Sequence, residues 1–114
     1  MTLLSTLFGV KIQQNNAIEL LNPIDFKVHI KSKKVQLIDV RTPLEYNSGH
    51  IKDAKNIDLY SDDFNTEFDK LDKSKPVYVY CRSGVRSNQA ANKLIAMGFI
   101  KVYDLKGGYL KWVN

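Results

Sequence analysis

Short apolar runs recur along the chain, and each is bounded by polar residues, glycine or proline. Runs of four to eight residues that are rich in β-branched, aliphatic and aromatic side chains are typical of buried strands. The chain contains five such runs, and they predict strands at 17–21, 35–40, 54–57, 77–80 and 101–105.

Helical signals lie between these runs. Thr42, followed three residues later by Glu45, has the spacing of a capping box and predicts a short helix that Gly49 ends. A second short helix is predicted where apolar residues have i, i+4, i+7 spacing, at Phe64, Phe68 and Leu71. A longer helix is predicted from about 87 to 97, with Ser87 as its polar N-cap and Gly98 as its C-cap.

The stretch after Asn22 carries two conflicting signals. Asn22 and Pro23 resemble an N-cap followed by proline at the first helical position. The next apolar residues alternate with polar ones, which favours a strand; they are Ile24, Phe26, Val28 and Ile30. We predict a helix here because of the Asn-Pro start, with His29 on its polar side as a surface residue.

Strands that alternate with helices predict an α/β fold with a mostly parallel sheet of about five strands and helices on both faces. The length of 114 residues suits a single domain, which we place at 17–114. Residues 1–16 are expected to form an N-terminal extension or a short helix. The apolar start lacks a basic segment and is far shorter than the roughly 20 residues of a membrane span, so no membrane association is expected.

The net charge of +5 raises the question of nucleic-acid binding, but the lysines are scattered and form no basic stripe with interleaved aromatics. No nucleic-acid partner is therefore expected. The three arginines behave differently, because Arg41, Arg82 and Arg86 all follow predicted strands. Ligands bind at the carboxyl ends of strands in open α/β sheets, and arginine is well suited to binding oxyanions.

Cys81, the single cysteine, lies where the strand at 77–80 ends and the segment toward the longer helix begins. A single cysteine excludes an intramolecular disulfide, which fits a reducing, cytoplasmic location. The loop opens onto a helix N-terminus, where unpaired N–H groups and the helix dipole favour an anion. Arg82 and Arg86 add positive charge to the same loop. These features favour the thiolate and make Cys81 a candidate nucleophile.

Three segments together resemble the rhodanese family of sulfurtransferases, in the family's order and spacing. The first runs from Leu37-Ile38-Asp39-Val40-Arg41 through Glu45-Tyr46, Gly49-His50-Ile51, Ala54 and Asn56-Ile57. The second is Tyr80-Cys81-Arg82-Ser83-Gly84-Val85-Arg86-Ser87, and the third is Leu105-Lys106-Gly107-Gly108 with Trp112. The resemblance implies a single-domain rhodanese whose catalytic cysteine, Cys81, carries sulfur as a persulfide.

The chemistry that the resemblance implies fits the loop. Cys81 would take the outer sulfur of a donor such as thiosulfate, a persulfide or a polysulfide, and a thiol or a sulfur-accepting protein would receive it. We expect the donor to be bound by Arg82, Ser83, Gly84, Val85, Arg86 and Ser87, with the arginines attracting its sulfonate group. No cofactor and no metal are expected, and the protein is expected to be a monomer.

The remaining motif residues are expected to be structural. Arg41 has the carboxylates of Asp39 and Glu45 close in sequence, and a buried arginine needs such partners. His50 is expected to hydrogen-bond the backbone at a turn. Gly107 and Gly108 are weak evidence for a phosphate loop, and Trp112 is expected to be a core or rim aromatic.

Two other functions remain as alternatives. Cysteine phosphatases and arsenate reductases of the same fold have five residues between cysteine and arginine, whereas four separate Cys81 from Arg86. The shorter loop suits a single sulfur atom better than a phosphoryl group. The second alternative is a redox-sensing or sulfur-relay module in which Cys81 is modified without efficient turnover.

Overall fold

The computed structural model describes residues 16–113. Five parallel strands form one sheet: β1 (Ile18–Leu21), β2 (Gln36–Asp39), β3 (Lys55–Asn56), β4 (Val77–Tyr80) and β5 (Val102–Leu105). The order across the sheet is β1-β5-β4-β2-β3, so β4 lies at the centre. The predicted α/β fold with a parallel five-stranded sheet is confirmed.

Four helices connect the strands, α1 (Pro23–Ser32), α2 (Pro43–Asn47), α3 (Phe64–Asp69) and α4 (Val85–Ala96), and a further helix, α5 (Gly108–Trp112), follows β5. None of the helices within residues 16–113 is long and apolar enough to cross a membrane. The expectation for residues 1–16 lies outside the described residues, except for Asn16.

The sheet is buried on both faces, as expected for parallel strands. One face packs against α3 and α4 through a cluster that includes Val79, Phe68 and Leu94. The other face packs against α1 and α5 through a cluster that includes Phe26 and Tyr80. Because β4 has all four residues buried, its carboxyl end is held firmly from both sides.

The helix predicted after Asn22 is confirmed as α1. The Asn22 side chain accepts a hydrogen bond from the Asp25 N–H at 2.8 Å. The alternating pattern arises because α1 buries only Phe26, while Ile24 and Val28 are exposed. The expectation for His29 was wrong: its ring is half-buried, and Nδ1 lies 2.8 Å from the Tyr78 hydroxyl.

The longer helix begins earlier than predicted. α4 starts at Val85, with Gly84 as N-cap at φ 112°, a conformation that glycine adopts readily. The prediction of Ser87 as N-cap was wrong, because Ser87 lies inside the first turn and is fully buried. Cys81 directly follows β4 and the helix starts four residues after it, which brings the helix N-terminus close to the thiol.

Candidate active site

The candidate site lies at the carboxyl end of β4, where residues 81–84 turn toward α4. Cys81 is 1% exposed. Its Sγ accepts a hydrogen bond from the Gly84 N–H at 3.0 Å and lies 3.4 Å from the Ser87 Oγ. The sulfur therefore has a backbone donor on one side and a hydroxyl on the other. Both groups can stabilise negative charge on sulfur, and the N-terminal end of α4 adds its dipole.

The loop is held from below by the N-terminus of α5. The Tyr109 N–H donates to the Cys81 carbonyl at 2.8 Å, and the Leu110 N–H donates to the Arg82 carbonyl at 3.1 Å. With these carbonyls bound on the far side, the Gly84 N–H faces the sulfur. Gly107 and Gly108 both have positive φ, at 79° and 65°, and they make the turn that brings α5 this close. Their position here is structural, and the weak phosphate-loop interpretation has no support in the geometry.

Arg86 forms a two-point ion pair with Glu45. Its Nη1 and Nη2 lie 2.6 and 2.9 Å from the two carboxylate oxygens of Glu45. The Thr42–Glu45 capping box is also present, so the same carboxylate starts α2 and ties it to α4. The Glu45 carboxylate was expected to pair with Arg41, and the structure shows that it pairs with Arg86 instead. Arg86 is also not the uncompensated charge that we expected for attracting a sulfonate.

Hydrogen bonding from Arg86 lowers the pKa of Glu45 to about 2. A carboxyl with a lowered pKa stabilises the fold above its ordinary pKa, and this stabilisation is lost as the pH falls through the folded value. We expect Glu45→Gln to lower the free energy of unfolding by about 1–2 kcal/mol at pH 7. The deficit should shrink between pH 5 and pH 2, because protonation then removes the same charge from the wild type.

Urea denaturation at pH 7 and pH 3 tests this prediction. The matched control is Glu19→Gln, which removes an exposed carboxylate paired with Lys101 and should change stability by less than about 0.5 kcal/mol. A deficit for Glu45→Gln that is equal at both pH values would contradict the assignment.

Arg41 is buried and pairs with Asp39, with Nη2 2.6 Å from the carboxylate. Its guanidinium also donates to the Gly49 carbonyl at 2.7 Å and lies 4.5 Å from the centre of the Tyr109 ring. The expectation that Arg41 and Asp39 are structural is consistent with this geometry, because both groups face their partners and not the sulfur.

The other predicted motif residues also have structural contacts. His50 Nδ1 lies 2.8 Å from the Tyr46 carbonyl, and its ring stacks on the Tyr46 ring, so the expected backbone contact is confirmed. Trp112 is half-buried and packs edge-on against Phe26. Neither side chain lies in the loop that surrounds the Cys81 sulfur.

The loop side chains differ in exposure. Arg82, Ser83 and Val85 are exposed, and no carboxylate among residues 16–113 forms an ion pair with Arg82. Arg82 is thus the arginine of the loop with an uncompensated charge. The assignment of Arg82, Ser83 and Val85 as donor-binding residues remains a prediction.

Two polar residues near the site were assigned no role from the sequence. Asn56 donates through Nδ2 to the carbonyls of Asp39 and Arg41, both at 2.9 Å, and so fixes the end of β2. Asp104 is fully buried on β5. Residues two apart in a strand lie on the same face, so Asp104 shares a sheet face with the buried Val102. The sequence alone therefore indicated a carboxyl on a buried face.

The sequence and the overall fold match a known group of domains. A family model described as a rhodanese-like domain matches residues 22–114. This chain belongs to the rhodanese family. A crystal structure of a rhodanese-like domain protein from Staphylococcus aureus agrees, with a TM-score of 0.73 and 30% identity over 82% of this chain and 90% of that one.

The relatives of this rhodanese carry names that denote different functions. It is 36% identical over 83 residues to the thiosulfate sulfurtransferase GlpE of Coxiella burnetii, covering 73% of this chain and 76% of the relative. It is 45% identical over 80 residues to the uncharacterized protein YqhL of Bacillus subtilis, and 36% identical over 105 residues to a tRNA uridine(34) hydroxylase of Pelagibacter ubique. These matches cover 70% and 91% of this chain but only 62% and 34% of the two relatives. The family supports sulfurtransferase chemistry in general terms.

Proposed function

We propose that this rhodanese is a sulfurtransferase that carries a sulfane sulfur on Cys81. The observation that carries the proposal is the environment of the sulfur, which is buried and held between the Gly84 N–H and the first turn of α4. A donor arrangement fixed in advance stabilises an anion without reorganisation. It would serve equally for the thiolate and for the terminal sulfur of a persulfide.

The reaction follows in two displacement steps. The Cys81 thiolate attacks the outer sulfur of thiosulfate, a new S–S bond forms, and the bond to the sulfonate sulfur breaks to release sulfite with its electron pair. An acceptor thiolate then attacks the outer persulfide sulfur, and Cys81 leaves as a thiolate. The Cys81 side chain thus passes through a covalent intermediate, which gives ping-pong kinetics. We place this reaction in the cytoplasm, where a single unpaired cysteine stays reduced.

Intact mass spectrometry tests the proposal directly. Incubation with thiosulfate should add the mass of one sulfur atom, and cyanide or a small thiol should remove it. The same measurement with polysulfide or a low-molecular-weight persulfide shows whether a failure to load from thiosulfate reflects the choice of donor or an inability of Cys81 to form a persulfide. If none of these donors adds sulfur, the proposal is wrong. Loading without turnover would support the relay alternative, in which a specific protein must accept the sulfur.

The phosphatase and arsenate reductase alternatives have less support from the geometry. Those enzymes need an arginine that faces the bound oxyanion, and Arg86 instead faces Glu45 at 2.6 Å. Turnover of an aryl phosphate or of arsenate without persulfide formation would favour them. The hydroxylase name belongs to a relative of which this chain spans 34%, and we do not extend that activity to this protein.

The uncompensated charge of Arg82 predicts a donor-specific effect. We expect Arg82→Gln to raise the KM for thiosulfate about three- to tenfold and to leave a neutral organic trisulfide donor unaffected, because only thiosulfate carries a sulfonate to attract. Arg86→Gln should instead impair both donors, since it frees Glu45 and separates α2 from the loop. Steady-state kinetics with the two donors checks this. Equal losses with both donors for Arg82→Gln would contradict the assignment.

A further inference from the structure

Asp104 is a buried carboxyl for which the proposed reaction has no use. It lies on β5 and is fully buried. Among residues 16–113 its two carboxyl oxygens are the only buried side-chain polar atoms without a hydrogen-bond partner. Buried polar groups in native proteins nearly always have partners, because an unpaired one loses its hydration without compensation. An exception on the strand next to β4, which leads into Cys81, requires an explanation.

Asp104 lies beside the catalytic loop, behind Ser87. It pairs in register with Val79, two residues before Cys81, and strand alternation places Val79 and Cys81 on the same face. Burial raises the pKa of Asp104 to about 6, and the Ser87 hydroxyl is close enough to offset part of the rise. The Ser87 Oγ is also 3.4 Å from the Cys81 sulfur. Ser87 therefore stands between the carboxyl and the thiol.

The Ser87 hydroxyl has one hydrogen and several acceptors. In the structure it donates to the Gly84 carbonyl at a long 3.3 Å. A small rotation would direct the same hydrogen to the Cys81 sulfur or to the Asp104 carboxyl. A hydroxyl donates only one hydrogen bond but accepts two, so its direction depends on which neighbour donates and which accepts.

We infer that Asp104 is a positioning residue, which sets the direction of the Ser87 hydroxyl and through it the stability of the anion on Cys81. A protonated Asp104 donates to the Ser87 Oγ, which leaves the serine hydrogen for the thiolate or the persulfide anion. An ionised Asp104 accepts that hydrogen instead and adds a negative charge behind the sulfur. The anion on Cys81 is then less stable. The consequence for sulfur transfer rests on the proposed function, but the effect on the thiol does not.

The groups around Asp104 determine whether a change in thiolate stability with pH can be attributed to its carboxyl. An open groove beside the loop is lined by Asp104 together with Leu20 of β1, the amide side chains of α4, and Lys106 at the exposed mouth. Among residues 16–113, Lys106 is the other titratable side chain that lines this groove, and the Cys81 thiol lies across Ser87 from Asp104. The two histidines are elsewhere, since His29 contacts Tyr78 on the opposite sheet face and His50 stacks on Tyr46.

Alkylation of Cys81 by iodoacetamide, followed from pH 4.5 to pH 9, tests the inference. Iodoacetamide is neutral and reacts with the thiolate, so its rate reports the anion without needing sulfur transfer. We expect the wild-type profile to contain a second inflection near pH 6. Asp104→Asn should remove this inflection and raise the rate at pH 7 about three- to tenfold, because the amide donates to Ser87 at every pH.

Two further variants make the result specific. Ser87→Ala should shrink the inflection, and Asp104→Asn should raise the rate by a smaller factor in Ser87→Ala than in the wild type, because only the charge of the carboxyl is then left to act on the sulfur. The matched control is Asp62→Asn, an exposed carboxyl on the loop before α3, which should keep the wild-type profile. Thermal unfolding of each variant confirms that the domain is folded.

The outcomes separate this inference from the proposed function. A profile for Asp104→Asn that superimposes on the wild type, in folded protein, overturns the inference even if thiosulfate loads Cys81 normally. Loss of the inflection together with no sulfur loading from any donor would uphold the inference and refute the sulfurtransferase proposal.

Discussion

Replacing Cys81 with serine will abolish sulfur loading and reduce cyanide-dependent turnover by about a thousandfold or more. A serine hydroxyl at this position has nearly the same shape, so it can still accept the Gly84 N–H that now bonds the sulfur at 3.0 Å. It cannot form a persulfide, however, and it is a much weaker nucleophile at neutral pH. We therefore expect a folded and inactive protein, measured by intact mass after thiosulfate treatment and by turnover with cyanide.

A chemical control shows whether Cys81→Ser is inactive because the thiol is missing or because the fold is disturbed. Because Cys81 is the only cysteine, wild-type protein alkylated with iodoacetamide has no thiol left and should behave like Cys81→Ser. Urea denaturation should place Cys81→Ser within about 1 kcal/mol of the wild type, since the substitution changes one buried atom. A serine variant that still gains sulfur would show that another group carries it.

The sheet could be predicted from the sequence because parallel strands that are buried on both faces have continuous apolar sequences. The run at 77–80 became β4 with all four residues buried. Cys81 follows it directly, so its place at the carboxyl edge of the sheet followed from the strand alone. The same logic failed for the start of α4. Ser87 is a good N-cap by residue type, but the turn depends on Gly84 at φ 112°, which local propensity does not reveal.

The pairing of charges could not be predicted, because it depends on distances across the fold. Glu45 lies four residues from Arg41 in sequence, yet it binds Arg86, which is 41 residues away. Arg41 is satisfied by Asp39 and the Gly49 carbonyl. Assignment by sequence proximity therefore chose the wrong partner. This error matters for function, because both arginines of the loop were expected to offer a free positive charge and, among residues 16–113, only Arg82 is left without a carboxylate partner.

Gly108→Ala is expected to have a large effect although Gly108 lies outside the loop itself. A Cβ on Gly108 would lie 2.6 Å from the Cys81 carbonyl oxygen and closer still to the Arg82 carbonyl. These atoms are backbone, and they accept the hydrogen bonds that join α5 to the loop. The residue also has φ +65°, which costs an L-residue about 1–2 kcal/mol before any clash. We expect a loss of about 3–5 kcal/mol in the free energy of unfolding.

We expect Gly108→Ala to impair the site as well as stability. Relieving the clash must move either α5 or the carbonyls of the loop, and either movement changes the surroundings of the Cys81 sulfur. Sulfur loading should fall at least tenfold at temperatures where circular dichroism still shows a folded domain. Gly98→Ala is the matched control: its φ is +104°, but a Cβ there would only contact the Lys73 side chain at 3.9 Å. It should lose about 1–2 kcal/mol from backbone strain alone and load sulfur normally. If the two alanine variants behave alike in urea denaturation and in loading, then close packing of α5 beneath Cys81 does not determine the geometry of the site.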